Sequence, residues 1–229
     1  MTASDVAPAS MLTFDPASCE PRQTYKLMTG IIVPRPVALV STVDSNGGVN
    51  LAPFSFFSGV GSAPPTVLFC PVLRAGSDRP GERKDTLRNV EETREFVVNV
   101  VTDAIAAKAN ITAAEVAPDV DEFQLAGLNP LASEVVRPPR VAESPAQMEC
   151  RVLQIIYTGH APSSGVIVLG EVLRFHVRKD LLDDFRVDPE ALDAVGRMAG
   201  NTWVRTRDRI DLVRPKSQKD IVSGRIGGT

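Results

Sequence analysis

Two long apolar runs constrain this chain most: QMECRVLQIIYTG over 147–159 and GVIVLGEVLRFHV over 165–177. In the first, Met148, Cys150 and Val152 alternate with Glu149 and Arg151, the period-two pattern of a strand with one face in a core. The second is apolar with polar breaks at Glu171, Arg174 and His176. Between them, Ala161-Pro162-Ser163-Ser164-Gly165 is turn chemistry. Two strands of about ten residues joined this tightly form a long antiparallel hairpin, and strands of that length curl into barrels more readily than they stay flat.

The remaining strand signals fit the same picture. Residues 37–44, VALVSTVD, are β-branched and apolar, and Ser45-Asn46-Gly47-Gly48 separates them from VNLAPFSFF at 49–57. Asn-Gly tolerates the positive φ angles of a type I′ turn, so a hairpin is expected here. Ala63-Pro64-Pro65 is a break that a central strand cannot contain. TVLFCPV at 66–72 and FVVNVV at 96–101 read as two further strands.

Helices are fewer. Residues 84–95, KDTLRNVEETRE, carry Asp85 or Thr86 in cap position, with Leu87, Val90 and Thr93 at helical spacing. Residues 102–112 open on a Thr-Asp capping pair, and Asp188-Pro189-Glu190 opens a short helix reaching about Ala194. This order does not alternate as a doubly wound sheet does. It predicts a mainly β fold: a closed, largely antiparallel barrel with flanking helices. Residues 1–20 lack periodicity and read as an N-terminal arm, 21–215 as one domain, and 216–229 as a C-terminal tail.

Composition narrows the function classes. With 43% hydrophobic and 23% charged residues and a net charge of −3, the chain can bury a full core but lacks the basic excess of a nucleic-acid binder. Three scattered cysteines form no CxxC, and two histidines cannot complete a zinc or iron–sulfur pattern. No metal is expected, and reduced thiols fit a cytoplasmic location. The start lacks the features of a secretory signal, and runs such as IIVPRPVALV are too short to cross a bilayer, so no membrane role is expected.

No GxSxG, HExxH or P-loop string is present, so no side-chain catalyst is assigned. His160 and His176 read as structural or surface residues, and Asp183-Asp184 as solvated. What remains are anion-binding features. Arg83-Lys84-Asp85-Thr86 precedes a helix, whose free N–H groups, with a lysine and a hydroxyl, can cradle a phosphate; the same residues can be a plain helix cap. In Asn50-Leu51-Ala52-Pro53-Phe54-Ser55-Phe56-Phe57-Ser58, the proline suits a bulge or an edge. Its backbone could read the polar rim of a flat heteroaromatic ring, or the segment could be an edge strand with one apolar face. Arg35, held between Pro34 and Pro36, could pair with a phosphate or with a surface carboxylate.

Taken together, these segments resemble the flavin reductase-like, FMN-binding split-barrel proteins, the group that includes flavoredoxin and the reductase components of two-component monooxygenases. The resemblance rests on residues 34–42 (PRPVALVST), 50–65 (NLAPFSFFSGVGSAPP) and 84–89 (KDTLRN), with PRVAESPAQMEC (139–150), LGEVLRFHV (169–177) and GRMAGNTWVR (196–205). It implies a split barrel, a homodimer, and FMN near the subunit interface. Ala52, Pro53, Phe54, Ser55 and Ser58 would line the flavin; Lys84 and Thr86 would hold its phosphate, with Asp85 capping the helix and Arg35 contributing. Trp203 would face the substrate, although many relatives have a Tyr-Tyr pair where this chain has Thr202-Trp203. The implied activity is hydride transfer from NADH or NADPH to flavin, with a monooxygenase or an electron-transfer protein as partner. An FMN-containing electron carrier is the alternative. With no GxGxxG present, a nicotinamide nucleotide would bind transiently rather than in a Rossmann domain.

Overall fold

The computed structural model describes residues 10–76, 79–117 and 120–215. Residues 1–9 of the expected arm and the whole expected tail, 216–229, lie outside the described residues. A helix the sequence reading did not anticipate, α1 (Pro21–Ile31), leads into β1 (Arg35–Pro36), β2 (Ala38–Val43) and β3 (Val49–Phe54). Next come β4 (Phe57–Ser62), β5 (Pro65–Phe69), α2 (Asp85–Thr93), β6 (Glu95–Val100), α3 (Ala106–Ile111) and α4 (Glu122–Ala126). A small hairpin, β7 (Pro130–Leu131) with β8 (Arg140–Val141), precedes the long strands β9 (Ala146–Tyr157) and β10 (Val166–Val177). The chain closes with β11 (Leu182–Asp183), β12 (Arg186–Val187), α5 (Pro189–Leu192), β13 (Val195–Arg197) and β14 (Trp203–Arg205).

Seven strands form one antiparallel sheet in the order β3-β2-β6-β9-β10-β5-β4. The expected long hairpin is its centre, with Val166 opposite Tyr157 and Val177 opposite Ala146. The two edge strands, β3 and β4, are consecutive in the chain, with only Ser55 and Phe56 between them. The sheet therefore has to roll until its edges meet at that corner, which makes it a barrel split along one seam. A single strand had been expected over 49–57. The chain instead turns at Ser55-Phe56 and moves from one edge of the sheet to the other.

β2 is buried on both faces, which is why it does not alternate and carries only Ser41 and Thr42 as polar residues. Ala38 and Val40 point into the barrel with Phe69, Phe96, Cys150 and Val168. Leu39, on the opposite face, packs under α3 and α4 with Ile105, Ala109 and Phe123. Helix α2 adds Leu87 and Val90 to the interior cluster; fully burying each contributes about 1.5–3 kcal/mol. Two side-chain bonds tie α2 to the β2–β3 hairpin: Asn89 Nδ2 donates to Thr42 Oγ1 (3.0 Å) and Asn50 Nδ2 to Thr86 Oγ1 (2.8 Å).

Local signals failed at three points. The β2–β3 hairpin is present, but its loop spans residues 44–48 and is not a type I′ turn: only Gly47 has positive φ, and the Asp44 carboxylate accepts from the Asn46 and Gly48 amides. α2 is preceded by Lys84 in extended geometry and begins at Asp85, so neither Asp85 nor Thr86 is its cap. The helical turn that leads into α3 has Thr102 in the cap position but no side-chain cap bond, and the Asp103 carboxylate is instead held by Arg205 and Arg207, each at 2.8 Å. The cap expected at Asp188 is in place, its carboxylate accepting from Glu190 N.

Candidate functional site: an anion crevice beside the broken edge strand

β3 and the start of α2 enclose a crevice of about 130 Å³, roofed by the segment that follows α3. It brings together six of the residues singled out in the sequence: Ala52, Pro53 and Phe54 from β3, and Lys84, Asp85 and Thr86 from the α2 start. Thr86 is buried and its Oγ1 accepts from Asn50, which leaves the hydroxyl proton to donate. No side chain among the described residues caps α2, so its first N–H groups and partial positive charge are open to an anion. Asp85 lies in the first turn and pairs with Arg88 and, at 3.7 Å, with Arg74.

Arg74 was missed in the sequence. It lies ten residues before Lys84, and a loop closed by Arg74 N to Glu82 O (2.9 Å) and Gly81 N to Arg74 O (2.8 Å) returns the chain to the crevice. Its buried Nε finds no hydrogen-bond partner among the described residues. A buried unpartnered donor is costly, and an ordered water, an ion or a ligand oxygen can satisfy it. The available signal was the run of basic residues Arg74, Arg79, Arg83 and Lys84 ahead of a helix. Glu122, also on the crevice wall, accepts from Leu51 N at 3.1 Å, and burial pushes its carboxyl above the usual range.

The other expected site residues sit elsewhere. Arg35 is buried, and four of its N–H groups are engaged: with the carbonyls of Thr29 and Ile32 (2.7 Å each), that of Met198 (3.0 Å) and Ser55 Oγ (3.3 Å). An arginine carries five such donors, so little of Arg35 is left for an anion. Arg35 thus ties α1, β1 and the end of β13 to the Ser55 corner. Arg35→Ala is expected to lower unfolding stability by about 1–3 kcal/mol for each carbonyl left buried and unpaired; an unchanged urea midpoint would refute that role. Ser58 lies on the exposed side of β4 and donates to Gly59 O. Trp203 stacks under the Arg197 guanidinium (5.0 Å to the ring centroid) in a separate cleft of about 310 Å³, which also holds Asn110 and Asn201. α3 joins the two places: its body lines the Trp203 cleft and its continuation roofs the crevice. His176 bonds the fully buried Glu149 (2.7 Å), which also accepts from the Glu134 and Val135 amides, a network remote in the fold from this crevice.

The family description "Flavin reductase like domain" matches residues 29–198, which takes in the crevice, the Arg35 corner and the long hairpin. The chain belongs to the flavin reductase-like family. An uncharacterized Deinococcus radiodurans protein is 40% identical over 209 residues, covering 88% of each chain. The uncharacterized protein YwrF of Bacillus subtilis is 34% identical over 90% of this chain and 100% of its own. Among solved structures, nitrilotriacetate monooxygenase component B of Bacillus cereus superposes with a TM-score of 0.84 at 36% identity, covering 90% of this chain and 100% of that one. The 2-nitrobenzoate 2-nitroreductase NbaA of Pseudomonas fluorescens gives 0.79 at 29%, covering 90% and 97%. Flavoredoxin of Desulfovibrio vulgaris, at 21% identity with a TM-score of 0.66 and coverage of 82% and 93%, shares the fold. This flavin reductase-like chain therefore has the split-barrel architecture that the resemblance implied, where the residues alone predicted a closed barrel. No helix among the described residues is long and apolar enough to cross a membrane.

Proposed function

We propose that this chain is an FMN-dependent NAD(P)H:flavin oxidoreductase that supplies reduced flavin to a partner monooxygenase. The observation that carries the reading is the crevice itself. It sets Arg74, Lys84, the Thr86 hydroxyl and the open end of α2 at one end of the proline-bearing edge strand. That donor set suits a phosphate monoester, and the strand beside it offers exposed backbone to a flat ring. FMN has this shape, an extended chain ending in a monoester. When bound, FMN supplies acceptance of hydride from a nicotinamide and its onward delivery. The chain's own residues would do the rest: Arg74, Lys84 and Thr86 grip the tip, Ala52 to Phe54 orient the ring, and Arg35 holds the Ser55 corner in shape.

The likeness to the Bacillus cereus monooxygenase component supports the oxygenase partner. The Arg197–Trp203 stack supports an aromatic or nicotinamide substrate on that side of the molecule. The homodimer belongs to the same reading. Tyr25, Met28 and Ile31 are exposed on α1, next to the Arg35 corner, and such an apolar face is a natural subunit contact.

The test is oxidation of NADH and of NADPH by purified protein with added FMN, followed by nicotinamide absorbance. Catalytic turnover with at least one donor is expected. Protein that takes up FMN but oxidises neither donor rejects the reading; if its bound flavin is then reduced by a protein partner, the chain is an electron carrier instead.

A further inference from the structure

The two cations of the crevice share a counter-ion that no part of the proposed function uses. Glu115, on the segment leaving α3, places Oε1 3.1 Å from Lys84 Nζ and Oε2 3.5 Å from Arg74 Nη1. The Lys84 ammonium holds the Glu115 carboxyl below the usual carboxylate range, and Arg74 adds to this. A second carboxylate, Asp85, lies near Arg74, but it is anchored on α2 and engaged by Arg88. Glu115 is different in kind. Its side chain is 64% exposed, so it can swing into water without burying a charge or leaving a cavity.

We propose that Glu115 sets the affinity and the charge selectivity of the flavin-tip site, because a ligand reaches Arg74 and Lys84 only by taking Glu115's place. The inference rests on the flavin-phosphate reading above. Arg74, Lys84 and Glu115 together carry one net positive charge. A phosphate monoester near pH 7 carries between one and two negative charges and three acceptor oxygens, so it outcompetes a single carboxylate for the same pair of cations. A ligand with an uncharged tip gains nothing from the exchange. Binding is therefore an anion swap: FMN is favoured over riboflavin, yet held more loosely than Arg74 and Lys84 would hold it without Glu115. A reductase that hands its flavin on benefits from both properties.

The test compares wild type with Glu115→Gln, which keeps the side-chain shape and removes the charge, and with Glu115→Ala as a second variant. FMN and riboflavin are titrated into each by flavin fluorescence at low salt, and inorganic phosphate is titrated by calorimetry. Exposed ion pairs are weak, so FMN is expected to bind about three- to tenfold more tightly to both variants. Inorganic phosphate should tighten in step, with riboflavin unchanged. FMN affinity that is unchanged or weaker in both variants, while wild type still prefers FMN to riboflavin, overturns the inference and leaves the phosphate reading standing. Equal tightening of riboflavin and FMN also overturns it, since the effect would then be one of access rather than charge. Wild type that binds FMN and riboflavin equally overturns both readings together.

Discussion

Lys84→Ala is expected to weaken FMN binding by about 1.5–3 kcal/mol, roughly tenfold to a hundredfold in Kd, and Lys84→Ala with Arg74→Ala to weaken it further. The size follows from the bond type, since a hydrogen bond from a cation to a phosphate is about twice as strong as a neutral one. The stability of the fold should barely change for Lys84→Ala. Its side chain is 37% exposed and its ion pair is with the exposed Glu115. Arg74 is more deeply placed and touches both Asp85 and Glu115, so Arg74→Ala alone will also lower stability. Riboflavin separates these effects, because it keeps the ring and lacks the phosphate. The measurement is flavin fluorescence quenching by both ligands. Equal FMN affinity in wild type and Lys84→Ala would mean that the phosphate lies elsewhere, and the crevice would lose its assigned role.

Why the strands were readable and the crevice only half so is a matter of range. β10 announces itself because a half-buried strand writes its burial into alternate residues, and β9 does so only in part, since Glu149, expected on the open face, is fully buried. β2 does so as a mostly apolar run broken only by Ser41 and Thr42, because helices cover its outer face. The β3–β4 division has no local mark. The run from Leu51 to Phe57 is uniformly apolar or hydroxylated, and only closure of the barrel dictates a turn at Ser55-Phe56. α1 is silent for the opposite reason. It buries only Thr29, and its apolar residues Tyr25, Met28 and Ile31 lie on an exposed face, so no stripe turned to the core records its period. A polar box holds its first turn, with Gln23 Oε1 accepting from Glu20 N.

The site divides the same way. Lys84, Asp85 and Thr86 are contiguous and head a helix, a pattern that can be found by eye. Arg74 and Glu115 reach the same crevice from two unrelated loops, and only the folded chain brings them there. Asp85 shows the cost of reading caps from composition alone. It has the right chemistry for a cap, yet its neighbour Lys84 takes the extended position, and the Asp85 carboxylate, already in the first turn, pairs with Arg74 and Arg88.

Phe96→Ala is expected to be among the most destabilising single changes in the barrel, by about 3–5 kcal/mol. Phe96 is fully buried, packs edge-on to Phe69 at 5.1 Å between centroids, and fills the space over Gly170 of β10. A methyl group at Gly170 would lie 2.3 Å from Phe96 Cζ, closer than any carbon contact can be. Glycine is required there by the ring above it and not by backbone conformation, since Gly170 lacks a positive φ. Gly170→Ala should therefore cost about 1–3 kcal/mol by overpacking in wild type. In a Phe96→Ala background the clash disappears and the new methyl enters the cavity, so the same change should become neutral or stabilising. Urea unfolding of the four proteins in this cycle measures the coupling. Additive costs would show that the glycine answers to something other than Phe96. A strongly positive coupling would establish that the interior of the barrel, where the Phe96 ring of β6 reaches past β9 to β10, is set by one ring and the residue that makes room for it.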